Sequence, residues 1–190
     1  MNILFLGYNN CKLHKFLFSH YNVKQTEDKI SLEDCKEIDF IISFGYKHII
    51  KPPIIKKFKR NIVNLHISYL PYNKGYHPNF WSFIDNTPKG VTIHLIDEGI
   101  DTGDILIQKE INFLKKEDTL FKTYNRLIEE IQILFINNHK NILGNKIPPK
   151  PQTSNGTFHY EKDLQKHKNL LVENWNTKTS QLFMKHQKMD

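Results

Sequence analysis

The chain opens with Asn2-Ile3-Leu4-Phe5-Leu6-Gly7, an unbroken apolar run that stops at a glycine. A strand buried on both faces has this form where it enters a turn at its carboxyl end. From Lys12 to His20 the pattern changes: Leu13, Phe16 and Leu17 stand at the i, i+3, i+4 spacing of one helical face. Asn22 to Gln25 reads as a short second strand, and Leu32 to Lys36 as a helical turn inside a charged stretch. Asp39 to Gly45 repeats the opening pattern, Ile49 to Lys59 carries Pro52 and Pro53 where a helix begins, and Asn61 to His66 is again strand-like. Strands alternating with helices predict an α/β domain with a largely parallel sheet.

The rhythm then breaks. Tyr69 to His77, with Pro71, Asn73 and Gly75, fits neither period and is expected to be a loop. Pro78 to Asp85 reads as a helix, and Gly90 to Ile96 and Ile105 to Ile111 as two strands around a glycine-bearing loop. Leu120, Tyr124, Leu127, Ile128, Ile131 and Phe135 form the clearest helical stripe of the chain. Lys146 to Pro151 must be extended, because proline forbids helix and disfavours it in the residue before. The lysine-rich tail suggests helices at Glu161 to Leu171 and Ser180 to Lys185, with disorder in the last few residues.

A length of 190 residues supports one core and a short appendage better than two full domains. The expected division is residues 1–150 as the principal domain and 151–190 as an extension. The start lacks a signal-peptide pattern, and no run of about 18 apolar residues occurs, so the chain is expected to be soluble and cytoplasmic, without a membrane partner. Cys11 and Cys35 have neither metal-site spacing nor a disulfide framework and read as structural thiols. The formal charge of +7 favours anionic partners. Arg60 and Arg126, however, are the only arginines, so the bidentate forks common in phosphate and base readers are scarce. The surface is read as solvated lysine, with no nucleic-acid partner.

Candidate chemistry lies in two places. Asn64 and His66 stand two apart in a strand, so their side chains leave the same face, about 6.6 Å apart along the backbone. They lie at its carboxyl end, where open α/β sheets bind ligands. Such a pair serves either a ligand or hydrogen bonds to the following loop. Asp97-Glu98-Gly99-Ile100-Asp101-Thr102-Gly103-Asp104 is a tight acidic loop, either a hairpin connection or a functional one. It lacks the ligand spacing and closing glutamate of a calcium loop, and no metal is expected.

Asn64 to Pro71, then Gly75 and Trp81, then His94 and Asp97 to Gly103 together resemble the signature of the folate-dependent formyltransferase family. The likeness runs from about Met1 to Phe113. It implies a Rossmann-like α/β fold, a mostly parallel sheet flanked by helices, and N10-formyltetrahydrofolate as co-substrate. It also implies Asn64, His66 and Asp101 as the catalytic residues. A histidine suits removal of the amine's proton, an asparagine amide can stabilise the oxyanion, and an aspartate can orient the imidazole, stabilise its cation or relay a proton. Phe44, Gly45, Tyr46, Ile49 and Ile50, with Asp97, Glu98 and Gly99, would surround the pterin, supported by His94. Tyr46, Ile49 and Ile50 serve equally as ordinary core.

Within the family, Leu70 to Trp81 most resembles the branch that acts on nucleotide-linked amino sugars. Tyr72, Asn73, Lys74, Gly75, Tyr76 and His77 are the implied substrate residues, while Trp81 reads chiefly as an anchor for the following helix. Members directed to transfer RNA carry a further β-rich domain, for which no room is expected after Pro151. Members acting on a purine-pathway glycinamide usually have proline where this chain has Ile67. A dTDP- or UDP-linked amino-dideoxy sugar is therefore the expected acceptor. The glycinamide, hydrolysis of formyl-folate and a non-catalytic folate binder are the alternatives, and a homodimer is the expected assembly.

Overall fold

The computed structural model describes residues 1–113, 118–152 and 156–186. A six-stranded sheet has the order β2-β1-β3-β4-β6-β7. Its members are β1 (Asn2–Gly7), β2 (Asn22–Thr26), β3 (Phe40–Phe44), β4 (Ile62–His66), β6 (Gly90–Leu95) and β7 (Ile105–Glu110). A two-stranded ribbon joins β5 (Lys74–Gly75) in parallel to β8 (Phe158–His159). The helices are α1 (Lys12–His20), α2 (Pro52–Phe58), α3 (Pro78–Ile84), α4 (Leu120–Leu143) and α5 (Thr179–His186). None among the described residues is long and apolar enough to cross a membrane.

The chain divides into two compact units. The first comprises residues 1–66, 93–107 and 131–152, and the second residues 67–92, 108–130 and 153–190. In the first, β1 pairs in parallel with both β2 and β3, and β3 with β4. This is the predicted α/β alternation. Leu4, Leu6, Ile41, Ile54, Phe58 and Ile62 form a buried cluster there. β2 had the weakest sequence support because its own side chains are mostly half-exposed; its register against β1 runs from Asn2↔Asn22 to Leu6↔Thr26. α2 begins at Pro52, where the two prolines place its first turn, and Lys51 keeps the extended backbone that precedes proline. Leu32 to Lys36, expected as a helical turn, forms turns closed by hydrogen bonds between residues three apart.

The two cysteines behave as structural thiols. The Cys11 sulfur accepts the His14 N–H at the start of α1, and Cys35 is buried in the core cluster. Burial pushes both thiols above their usual range, which keeps them from being ready nucleophiles.

In the second unit, Phe80, Trp81, Phe83, Leu120, Leu164 and Leu182 belong to one buried cluster. The expected loop from Tyr69 to His77 contains β5, which pairs with tail residues that the pattern did not mark as strand. Glu161–Leu170 is a 3₁₀ helix, and β9 (Val172–Trp175) follows it. The disorder expected at the carboxyl terminus falls on residues 187–190, outside the described ones.

β6 and β7 form an antiparallel hairpin. The Leu95 N–H donates to the Asp104 carbonyl at one end, and the Ile111 N–H to the Lys89 carbonyl at the other. At the opposite side of the sheet, β1 ends at Gly7, whose φ is +108° and where a Cβ would lie 2.0 Å from the Phe44 carbonyl oxygen. Gly7→Ala should therefore lower the urea unfolding midpoint, by more than ~1 kcal/mol of stability; an unchanged midpoint would contradict this account of the β1 turn.

Candidate active site

β4 carries Asn64 and His66, its neighbour β6 carries His94, and the loop between β6 and β7 brings Asp101 back to them. All four belong to the first unit. His66 and His94 are buried, and the Asp101 side chain is 11% exposed.

The hydrogen-bond pattern can be followed from one fixed point. Nδ1 of His94 lies 2.7 Å from the Leu95 carbonyl, which can only accept, so Nδ1 carries a proton. In the neutral ring Nε2 is then an acceptor, and it stands 3.3 Å from Nδ2 of Asn64. That same amide nitrogen donates to Oδ1 of Asp101 at 3.0 Å. The two hydrogens of one amide thus join a carboxylate and an imidazole. Oδ1 of Asp101 also lies 3.7 Å from Nδ1 of His66 and 3.5 Å from Nε2 of His94.

The loop is shaped to present Asp101. Its backbone is left-handed, with φ of +54°, a region aspartate tolerates better than most residues. Asp97 accepts from the Gly99 N–H and the Thr102 hydroxyl. A Cβ at Gly99 would lie 2.0 Å from the Thr102 hydroxyl oxygen, and one at Gly103 1.9 Å from the Leu95 carbonyl. Nε2 of Gln152 donates to the carbonyls of both Asp101 and Gly103 at 2.8 Å. Gln152 was missed in the sequence because it follows the proline run and belongs to no motif.

The residues assigned to the folate divide by environment. Phe44 and Ile50 are core, and Gly45 (φ +70°) abuts the Tyr8 ring. Tyr46 donates its hydroxyl proton to the Asp28 carbonyl and accepts the Ile30 N–H. Ile49 is 79% exposed and Ile100 42% exposed, while Glu98 and Gly99 are also at the surface.

The substrate-loop residues belong to the second unit. Asn73 is fully buried, exchanging bonds with Thr157 and donating to the Thr87 hydroxyl. Gly75 meets β8 so closely that a Cβ would lie 2.4 Å from the His159 carbonyl. Both side-chain positions shape the loop. The Tyr72 carbonyl accepts the Ser68 hydroxyl, Lys74 is half-buried, and Tyr76 is exposed. Trp81 is buried, stacked on His159 with ring centres 3.9 Å apart, as suits an anchor. His77 stacks on Trp175 of β9 at 5.5 Å and 28°. That pair borders a cavity of about 330 Å³, whose wall includes Ile67, Phe80, Leu120 and Phe121.

An Asn-x-His pair at a strand's carboxyl end, facing an aspartate on a glycine-bounded loop, is an arrangement whose groups can hold and move a proton beside an amide donor. Residues 11–138 match the formyl transferase family, and the chain belongs to that family. Over 96% of its length it superposes on 97% of the formyltransferase PseJ from Anoxybacillus kamchatkensis, with 44% identity and a TM-score of 0.92. That protein was crystallised with UDP-4,6-dideoxy-4-formamido-L-AltNAc and tetrahydrofolate. The chain is 35% identical, over 76% of its length, to methionyl-tRNA formyltransferase of Thermodesulfovibrio yellowstonii, covering 46% of that protein. It is 34% identical, over 63% of its length, to GDP-perosamine N-formyltransferase of Brucella melitensis, covering 48%. It thus spans about half the length of the curated relatives it matches.

Because Gln152 holds the Asp101 backbone rather than a reacting atom, Gln152→Ala should lower kcat by about tenfold, with little change in thermal stability. Gln152→Glu, which keeps the length and removes the donors, should not restore it; full activity in both would remove Gln152 from the site. His77 gives a separate expectation. Burial lowers its pKa from the ordinary 6.5, against a smaller raising effect of Glu161. The neutral ring's contribution to stability is therefore intact above pH 6.5 and is lost as pH falls through the lower folded-state value. The melting temperature of the wild type should fall more steeply than that of His77→Asn as the pH drops from 6.5 to that lower value.

Proposed function

We propose that the protein is an N-formyltransferase that carries a formyl group from N10-formyltetrahydrofolate to the amine of a dTDP- or UDP-linked amino-dideoxy sugar. The observation that carries this reading is the convergence of Asn64, His66 and His94 on one oxygen of Asp101, between 3.0 and 3.7 Å. The 44% identity to a formyltransferase crystallised with a UDP-formamido sugar supports the choice of acceptor. Residues 1–150 carry the chemistry in this proposal and 151–190 extend it; a cytoplasmic homodimer belongs to the same proposal.

The residues present fit the folate. Exposed Ile49 and Ile100 offer apolar surface to a flat ring, and the surface backbone of residues 97–101 offers polar groups to its edge. When bound, formyl-folate supplies the electrophilic carbonyl carbon. His66 accepts a proton from the amine as nitrogen bonds to that carbon, and becomes a cation. Asp101, 3.7 Å from Nδ1, stabilises that cation and fixes the ring's orientation. Once Asp101 faces an imidazolium, Asn64 can turn one of its hydrogens towards the oxygen gaining negative charge. His66 then gives its proton to the leaving nitrogen.

The test is consumption of formyl-folate with dTDP- and UDP-linked 3-amino and 4-amino sugars, with glycinamide ribonucleotide, with methionyl-tRNA and with no acceptor. Consumption that depends on an amino-sugar nucleotide supports the proposal. Consumption without acceptor marks a hydrolase, dependence on either other acceptor reassigns the substrate, and none at all leaves a folate-binding module. His66→Ala and Asp101→Ala should each reduce turnover by at least ~10²-fold with an unchanged melting temperature. A folded His66→Ala enzyme of near-normal activity would refute the mechanism.

A further inference from the structure

The cavity of the second unit plays no part in the chemistry above. At about 330 Å³ it falls within the size range of small-molecule sites, and its walls are mainly apolar. Ile67, on that wall, follows His66 directly in the chain, so its Cα is about 3.8 Å from that of the histidine. Trp175 remains 41% exposed and Phe121 53% exposed, which leaves aromatic surface open at the border.

His77 stands at this border for a reason its local structure does not supply. It is the residue before α3, with a left-handed backbone (φ +54°, ψ +43°), yet its side chain makes no capping hydrogen bond. A left-handed non-glycine residue is costly and tends to persist where a site uses it. What the ring does is lie against Trp175, which comes from the far end of the sequence. Every base has a π face, so an open aromatic surface beside a small apolar cavity suits a nucleobase.

Resting on the amino-sugar reading, we propose that the His77–Trp175 pair and the adjoining cavity seat the nucleobase of the acceptor, with Trp175 as its stacking contact. Neither Arg60 nor Arg126 competes as a recognition element. Arg60 donates to the carbonyls of Asn145 and Ile147, and Arg126 to that of Asn112. Grip on the nucleotide therefore falls to stacking and to lysine.

The experiment reads Trp emission of the full chain titrated with UDP, with uridine and with pyrophosphate. Trp81 is buried and serves as a constant background. UDP and uridine should quench and pyrophosphate should not. Trp175→Ala and His77→Asn, the latter tolerant of the left-handed backbone, should raise the Kd for UDP and the KM for the sugar nucleotide about tenfold. Their kcat should stay within about twofold, because neither residue is part of the reacting centre. Trp175→Phe should recover most of the affinity. Wild-type KM in Trp175→Ala, or quenching by pyrophosphate as strong as by UDP, overturns the proposal. A shift in oligomeric state on Trp175→Ala with unchanged UDP affinity also overturns it, marking the surface as a contact between copies. Quenching by uridine without turnover of any sugar nucleotide would leave the base site standing while the acceptor reading fails.

Discussion

One amide nitrogen holds the candidate site together. Nδ2 of Asn64 has two hydrogens, and the two nearest acceptors are a carboxylate oxygen and an imidazole nitrogen. The arrangement is enforced from outside, because the Leu95 carbonyl fixes the His94 tautomer and leaves its other nitrogen as the acceptor. No other residue type of this size meets both demands. An aspartate at position 64 would set a second carboxylate beside Asp101, and a leucine would leave a nearly buried charge with one donor fewer. The bridge also ties two neighbouring strands to the loop that carries Asp101, so strand order and the candidate site share one constraint.

Presenting that acid carries a backbone cost. A left-handed aspartate costs on the order of 1 kcal/mol, and the glycines at 99 and 103 lose more conformational entropy on folding than other residues would. The opposing terms are local: Asp97 accepts two bonds within the loop, and Gln152 donates two across it. The loop is therefore held from both sides, which fixes the distance between Asp101 and His66.

What could be read in the sequence and what could not follow from where each signal resides. β1, β3, β4 and α4 announce themselves because each carries its own apolar pattern, continuous for buried strands and periodic for the helix. The Asn64, His66 and Asp101 set was visible as an ordered motif. β5 and β8 are two residues each and exist only as each other's partner, a tertiary fact without local trace. Trp175 and Gln152 were hidden for the same reason: their roles lie in contacts with residues 98 and 51 positions away. Asn73 shows the converse: a polar residue in the loop implied to hold substrate is fully buried and bonded to Thr87 and Thr157.

Charge follows the same logic. A surplus of seven positive charges suggests an anion-binding protein, but the two residue types that make it up are used differently. Both arginines bind backbone carbonyls: Arg60 in the first unit, and Arg126 in the second, where its guanidinium also lies over the Phe113 ring. The remaining cations are lysines, point charges that attract phosphate without fixing its geometry. In such a chain the net charge can raise the local concentration of an anionic substrate, while discrimination must come from groups with shape. Rings and a bounded cavity supply shape, and a single-oxygen convergence of three nitrogens supplies direction. In the proposed function the diffuse lysine charge would gather the anion, and a few side chains drawn from distant parts of the sequence would hold it in place.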